Sequence, residues 1–159
     1  MCTAKQAKRA EMPLFLSTYE NHLDTKGRIS IPAPFRSSVN QENFSGIVLY
    51  RSFTAPCIEG LSMSRMEKMA AATDQMGVFD AELDDLSAML FADARPLQFD
   101  VTGRVVIPAE LLAHAGIKDK AVFVGRGNSF QIWEPSAFKA AQEKSLDALR
   151  TTRPNLKIS

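Results

Sequence analysis

The sequence contains few of the residues that bind metals or form disulfides. Its 159 residues include only two cysteines, Cys2 and Cys57, and two histidines, His22 and His114. A disulfide framework needs more cysteines, and none of these four residues has neighbours at the spacing of metal ligands. We therefore expect no metal and no cofactor, and we interpret the histidines as structural residues with hydrogen-bonded rings.

Long apolar segments are also absent. No run of about 18 apolar residues occurs, which excludes a membrane-spanning helix. The basic segment 1–11 has no apolar stretch behind it that would make it a secretory signal. We expect a cytoplasmic protein without a membrane partner.

Catalytic motifs are missing as well. A Gly-rich phosphate loop joins a strand to a helix, whereas Gly125-Arg126-Gly127 stands between two predicted strands. There is no Gly-x-Ser-x-Gly nucleophile motif. The paired carboxylates Asp84 and Asp85 lie in an acidic segment that is typical of a solvated helix face. The sequence therefore gives no indication of an enzyme.

Charge is balanced overall but unevenly distributed. The formal net charge of +1 argues against a protein that coats DNA by electrostatics alone. Residues 1–36 hold six basic and three acidic side chains, whereas residues 59–100 hold three basic and nine acidic ones. We expect the acidic middle to face away from any polyanion that the chain binds.

A repeat organises the chain. Residues 24–33 (DTKGRISIPA) and 100–109 (DVTGRVVIPA) are identical at six of ten positions, at an offset of 76 residues. That density of identity indicates a duplication. The identical pairs are Asp24/Asp100, Gly27/Gly103, Arg28/Arg104, Ile31/Ile107, Pro32/Pro108 and Ala33/Ala109.

Both copies predict the same order of elements. An extended segment, 18–23 or 96–99, precedes Asp-x-x-Gly-Arg, a turn in which aspartate accepts from the backbone and glycine tolerates a positive φ. A strand that ends at proline, a short helix and two further strands follow. The predicted elements are Arg28–Ile31, Phe35–Val39, Gly46–Arg51 and Cys57–Glu59 in the first copy, and Arg104–Ile107, Ala109–Ala115, Ala121–Val124 and Phe130–Trp133 in the second.

Amphipathic helices follow each copy. Apolar residues recur at helical spacing, which predicts faces that form core or subunit contacts. A copy with four short strands buries too little surface to be stable alone, so the two copies must share a core. The sequence leaves open whether their hairpins interleave or stack. The apolar positions are Met63, Met66, Met69, Ala70, Leu83, Leu86, Met89, Leu90, Phe138, Ala141, Leu146 and Leu149, with Gly77 as a break and 151–159 as a frayed tail.

The Asp-x-x-Gly-Arg turns carry the candidate functional residues. Asp24 and Asp100 have a structural interpretation, in which the carboxylate shapes the turn and steadies the arginine. Arg28 and Arg104 have two interpretations: an internal salt bridge, or a contact with phosphate or guanine, which the forked guanidinium suits. Two copies present the same cation twice, and such periodic presentation suits a repeating polyanion.

The two copies differ in charge. Lys26 has no cationic counterpart, because Thr102 occupies the equivalent position. It is either a solvated turn lysine or a DNA contact. Arg36 and the basic residues Lys5, Lys8 and Arg9 also lie near the first turn in sequence. The first copy is therefore the better candidate for direct DNA contact, and the second is closer to a scaffold.

The chain resembles the MraZ family. Residues 15–28 (FLSTYENHLDTKGR), followed by Ile31-Pro32, are similar to the opening of MraZ proteins, and 122–125 (VFVG) with 130–133 (FQIW) resemble the family's second unit. The family carries two Asp-x-x-x-Arg motifs, one in each AbrB-like unit, which here run from Asp24 to Arg28 and from Asp100 to Arg104. The resemblance covers roughly residues 13–150, and 1–11 precede the usual family start near Met12.

The resemblance implies an α+β, β-rich fold: a duplicated AbrB-like swapped-hairpin barrel with flanking amphipathic helices. It also implies a nucleoid-associated homo-oligomer, ring-like in form, that binds repeated boxes in double-stranded DNA upstream of the division and cell-wall gene cluster, its own gene included. The corresponding divisions are 1–12 as an extra segment, 13–62 and 95–138 as the two units, 63–94 as connecting helices, and 139–159 as a C-terminal helix and tail. The family's binding motif falls on Asp24, Lys26, Arg28, Asp100 and Arg104, to which the charge distribution adds Arg36.

Two other functions fit the same features. An AbrB-type antitoxin would use its C-terminal part to neutralise a toxin, although antitoxin tails are usually single and disordered before binding, unlike a second full unit with structured helices. A non-DNA oligomeric scaffold would use the arginines in salt bridges between subunits.

Overall fold

A computed structural model describes residues 14–39, 44–75 and 81–152 of the protein. The basic residues Lys5, Lys8 and Arg9, the Gly77 break and the tail beyond Thr152 lie outside the described residues. The strands are β1 (Thr18–His22), β2 (Arg28–Ser30), β3 (Gly46–Arg51), β4 (Ile58–Leu61), β5 (Arg95–Gln98), β6 (Arg104–Val106), β7 (Lys120–Gly125) and β8 (Phe130–Trp133). The helices are α1 (Ala33–Val39), α2 (Met63–Gln75), α3 (Ala81–Asp93), α4 (Ala109–Ala115) and α5 (Pro135–Thr152).

Local sequence explains the two short helices. Helix α1 has Pro34 in its first turn, where the missing N–H has no intrahelical partner to lose. Helix α4 ends at Gly116, whose φ of +67° lets its N–H donate to the carbonyl of Ala113 at 3.2 Å. Both helices were predicted, and α4 has the predicted bounds.

One predicted strand was misplaced. Strand β4 is Ile58–Leu61 rather than Cys57–Glu59, because the N–H of Cys57 donates to the carbonyl of Ala55 in a turn. The strand extends instead to Leu61, and Gly60 within it makes room for an aromatic ring of β8. A Cβ atom at Gly60 would lie 2.3 Å from Cζ of Phe130.

The eight described strands form two sheets, both antiparallel. The large sheet has the order β1-β7-β8-β4-β3-β5, and β2 pairs with β6 in a two-stranded ribbon. Within a copy only β3–β4 and β7–β8 are neighbours, while β1–β7, β3–β5, β4–β8 and β2–β6 each join one copy to the other. The fold is therefore α+β, and the two copies share their sheets rather than stack as separate ones.

The main core lies between the large sheet and the ribbon. The inward residues of the ribbon, Ile29 and Val105, are 1% and 2% exposed. Helices α1 and α4 close this core with Phe35 and Leu111, which are equivalent positions in the two copies and are both fully buried. The Phe35 ring centroid lies 5.2 Å from that of Phe130, so the first helix packs onto a strand of the second copy.

The longer helices lie on the opposite face of the large sheet. Helices α2 and α3 pack on β3, and α5 packs on β7. Strand residues alternate between faces: Val48 lies in the cluster beneath α2, whereas Ile47 and Leu49 belong to the main core. The acidic helices and the ribbon are therefore on opposite sides of the sheet.

The apolar stripes of the long helices are only partly covered. Met66 and Leu90 are buried as expected of core positions, and Met63 and Met69 pack beside Met66. By contrast, four predicted positions are about half exposed; the side chain of Leu83 lies outside the described part. No helix in the described segments is both long and apolar enough to span a membrane. The exposed positions are Leu86, Met89, Leu146 and Leu149.

Candidate nucleic-acid interface

The first Asp-x-x-Gly-Arg turn is fixed by its aspartate. One carboxylate oxygen of Asp24 accepts from the backbone N–H groups of Lys26 and Arg28, at 2.9 and 2.8 Å. The other accepts from Nε of Arg28 at 2.6 Å. Gly27 has a φ of +81°, a conformation that costs other residues energy. The aspartate therefore has the structural role that the sequence suggested, and it orients the arginine as well.

The second turn repeats this geometry. Asp100 accepts from the N–H groups of Thr102 and Arg104, each at 2.9 Å, and from Nε of Arg104, also at 2.9 Å. Gly103 has a φ of +80°. The hydroxyl of Thr102 adds a further bond to Asp100 at 2.8 Å. The duplication seen in the sequence is thus a duplication of backbone conformation and of the ion pair.

Both aspartates are held in the charged form. Donation by the backbone N–H of Arg28 is the main cause that lowers the pKa of Asp24, and the N–H of Arg104 does the same for Asp100. The guanidinium of each arginine lowers these pKa values further. A carboxylate that stays ionised keeps Nε of its arginine in place over the whole physiological pH range.

Each arginine remains available to a ligand although it is ion-paired. The side chains of Arg28 and Arg104 are each 35% exposed. Their described hydrogen bonds run from Nε to the aspartate, and in the described segments neither Nη group of either residue donates to a protein acceptor. The two interpretations made from sequence are therefore compatible, because an internal salt bridge leaves the outer fork of the guanidinium open.

The two arginines lie on one exposed face of the ribbon. Strands β2 and β6 pair with Arg28 opposite Val106 and Ser30 opposite Arg104. Residues directly opposite share a face of the sheet, so these four side chains form its outer surface. The backbones of Arg28 and Arg104 are diagonal neighbours across the ladder, about 7–8 Å apart. Two arginines on one face of a short ribbon can engage one ligand together.

The Arg36 guanidinium lies at the second turn and not at the first, with which the sequence grouped it. A Cβ atom at Gly103 would lie 2.7 Å from Cζ of Arg36, and Nη1 of Arg36 donates to the carbonyl of Ile31. The cause is the cross-copy pairing, in which the N–H of Ile31 donates to the carbonyl of Gly103 at 3.1 Å and carries α1 over that turn. Lys26, which is exposed, stands beside the first turn.

A model of one protein family, described as "MraZ protein, putative antitoxin-like", matches residues 14–86 and 90–155. Transcriptional regulator MraZ of Pelagibacter ubique is 40% identical over 144 residues, covering 91% of this chain and 93% of that protein. The chain belongs to the MraZ family. The proteins of the same name from Rickettsia bellii and Rhodospirillum rubrum are 39% and 44% identical, over 91% and 84% of this chain and 99% and 87% of those proteins.

Membership in the MraZ family confirms the resemblance drawn from the sequence. The names of these relatives are those of regulators and not of enzymes. The chain is therefore a transcriptional regulator by family, which is the coarser part of the predicted function. The DNA that it binds and the residues that bind it remain proposals.

Two residues on the outer face of the β2–β6 ribbon were not predicted from the sequence. Ser30 and Val106 are exposed beside the arginines. Each lies two residues after its arginine, and side chains at i and i+2 of a strand share a face. The period of a strand, applied from Arg28 and Arg104, would have identified both.

The histidines and the described cysteine offer no second site. His22 is exposed, and Nε2 of His114 is buried without a hydrogen-bond partner in the described segments, so the expectation of a hydrogen-bonded ring was wrong for that atom. Burial raises the pKa of the Cys57 thiol to about 12, which leaves it a weak metal ligand. The described part holds no group of three or more side chains suited to a metal ion.

Proposed function

We propose that the chain binds double-stranded DNA sequence-specifically through the β2–β6 ribbon. The observation that carries the proposal is the pair of arginines on one ribbon face, each held at Nε by an aspartate and with no Nη hydrogen bond to another described residue. A two-stranded ribbon fits the major groove, which is about 12 Å wide, and an arginine fork can pair with the edge of guanine. The proposed contact set is Asp24, Lys26, Arg28, Arg36, Asp100 and Arg104.

Within this set the residues have different proposed roles. The aspartates hold the arginines, and an arginine whose Nε is fixed loses less freedom when it binds than a mobile one. Lys26 at one end of the ribbon and Arg36 at the other supply charge for phosphates. The acidic helices lie behind the sheet, where they do not repel the DNA.

The regulated DNA is proposed to be the repeated boxes upstream of the division and cell-wall gene cluster, with the gene of this protein among its targets. The resemblance to the family supports this proposal, and it supports a proposed association with the nucleoid. We likewise propose that the fold is a duplicated AbrB-like swapped-hairpin barrel. The pairing of β1, β2 and β4 with strands of the other copy supports it.

We also propose that the chain works as a ring-like homo-oligomer. Leu86 and Met89 on α3, and Leu146 and Leu149 on α5, are about half exposed on two separate helices. Two different apolar faces on one chain suit a head-to-tail contact, which closes into a ring when the rotation allows it. A ring would present several ribbons to successive boxes.

The test is binding of the purified protein to DNA from upstream of its own gene, against a scrambled duplex of equal composition, over a salt series. Specific binding that weakens steeply with salt is expected. Arg28→Ala should remove most of it, by about 5–150-fold if one bidentate base contact is lost, without unfolding the protein. Arg65→Ala is the matched control, because Arg65 is exposed on α2, across the sheet from the ribbon.

The outcomes separate the possible functions. No preference for the upstream DNA would contradict the proposal. If Arg28→Ala dissociates the oligomer in light scattering and leaves DNA binding of the remaining assembly intact, the arginines serve subunit contacts, as a scaffold requires. Equal losses for Arg28→Ala and Arg65→Ala would show that only overall charge matters.

A further inference from the structure

The two copies differ at the exposed positions of the ribbon hairpins. Val106 is 54% exposed on the ribbon face, and Val101 at the tip of the second turn is fully exposed. At the offset of the duplication their counterparts are Ser30 and Thr25. At both positions the second copy exposes a valine where the first copy has a hydroxyl residue.

Neither valine is explained by packing. Val105, the neighbour of Val106, fills the core and is 2% exposed, so strand alternation alone would favour a polar residue at 106. Val101 lies between Asp100 and Thr102, whose hydrogen bonds form the turn. The turn therefore does not depend on the side chain at 101.

The position of Val106 indicates what it meets. It lies directly opposite Arg28 and diagonal to Ser30 in the ladder, so a ligand that the arginine reaches also covers the valine. In the major groove the only methyl group that a base presents is the C5-methyl of thymine, and apolar side chains contact it. A serine opposite Arg104 offers a hydroxyl at the equivalent place.

We propose that Val106 contacts a thymine methyl in the major groove and makes the ribbon read DNA in one direction. This inference rests on the proposed DNA binding and adds a residue that determines specificity. At one end of the ribbon Arg28 contacts a base pair, and Val106 contacts a thymine beside it. At the other end Ser30 lies opposite Arg104, and this end does not select for the thymine methyl. Val101 lies at the tip of the second turn, at the Arg104 end of the ribbon, and is not part of this contact.

The experiment compares two duplexes from the upstream region that the protein protects. One is natural, and in the other every thymine is replaced by deoxyuridine, which removes the methyl groups and keeps the base pairs. Wild-type protein is expected to bind the deoxyuridine duplex about fourfold more weakly, the effect of exposing one methyl-sized group. Affinities are measured by fluorescence anisotropy on the full-length protein.

Two substitutions give the second copy the residues of the first. Val106→Ser should bind both duplexes with equal affinity, close to that of wild type on deoxyuridine DNA. Val101→Thr, at the opposite end of the ribbon, should leave the thymine-to-uracil ratio at the wild-type value. Ser30→Asn is the matched polar control on the same face, and the thymine-to-uracil ratio should stay at the wild-type value whatever its overall affinity. These positions are exposed, so the variants should melt with the wild type.

Several results would overturn the inference. One is wild-type protein that binds the thymine and the deoxyuridine duplexes with equal affinity. Another is a Val106→Ser variant whose thymine-to-uracil affinity ratio equals that of wild type. A ratio lost equally in Ser30→Asn would assign the effect to DNA shape and not to the valine. If wild type prefers no upstream sequence over scrambled DNA, the proposed function itself fails, and that result is distinct from a failure of methyl discrimination.

Discussion

The two Asp-x-x-Gly-Arg turns have almost the same backbone and carry different chemistry around it. Each has a glycine with a φ near +80° and an aspartate that accepts hydrogen bonds from two backbone N–H groups and from an arginine Nε. The first is flanked by Lys26 and the second by the guanidinium of Arg36, which arrives from the other copy. The comparison teaches that a duplicated motif can keep its geometry through identical residues while its surroundings come from non-equivalent ones.

The largest expected effect concerns the stability of the core beneath the two turns. Phe35→Ala should lower the free energy of unfolding by about 3–5 kcal/mol, because its ring contacts four other aromatic rings. Leu111→Ala, at the equivalent position, should cost about 2–5 kcal/mol and less than Phe35→Ala. Denaturation with urea measures both. A larger loss of unfolding free energy for Leu111→Ala than for Phe35→Ala would show that helix α4 stabilises the core more than helix α1 does.

The arginines provide the next test, on DNA affinity. Since Arg28 and Arg104 have the same exposure and the same Nε ion pair with an aspartate, each change to alanine should cost about 1–3 kcal/mol of binding free energy. The sequence favoured the first copy as the DNA reader, whereas equal geometry predicts similar losses. Anisotropy titration at fixed salt decides between them, with circular dichroism to verify the fold.

The glycines give a smaller effect on stability. Gly27→Ala and Gly103→Ala should each cost about 1–2 kcal/mol, because both have a positive φ. Only Gly103→Ala would also displace the Arg36 side chain, whose Cζ would lie 2.7 Å from the new Cβ. Of the two variants, it should therefore have the greater loss of DNA affinity at equal melting temperature. A greater loss in Gly27→Ala would exclude Arg36 from the interface.

Lys26 distinguishes the turns by charge. Lys26→Ala should reduce the slope of log affinity against log salt by about one, the effect of losing a single phosphate contact. Thr102→Ala should leave the slope unchanged, and Thr102→Lys should raise it by a similar amount. If Lys26→Ala leaves the slope unchanged, Lys26 is a solvated turn residue.

The smallest effect is expected from the aspartates and pH. The folded chain holds the pKa of Asp24 and of Asp100 below the unfolded value of about 3.9. Their stabilisation is therefore fully present above that pH and is lost as the pH falls through the folded pKa. The difference in melting temperature between wild type and Asp100→Asn should be constant from neutral pH to about pH 5 and shrink in more acidic buffer. A difference that grows with acid would contradict this sign.

Sequence alone predicted the elements of each copy better than their arrangement. Local chemistry fixes the turns, the proline-ended strands and the end of α4 at Gly116, so these were correct. The pairing of β2 with β6, and the placement of Arg36 over Gly103, depend on contacts between segments far apart in sequence. The position of Ser30 and Val106 beside the arginines was available from strand periodicity and was not used.

The pairing of β2 with β6 has a consequence for how the two copies can change. In a homodimer of single copies, any substitution would enter both strands of such a ribbon. Here one chain supplies one strand of each kind, so serine at position 30 meets valine at position 106 in every molecule. The connection between the copies makes their pairing intramolecular and independent of protein concentration. In a symmetric dimer the two ends of the ribbon would have identical residues. Because the two copies are covalently linked, the residues at the two ends can differ.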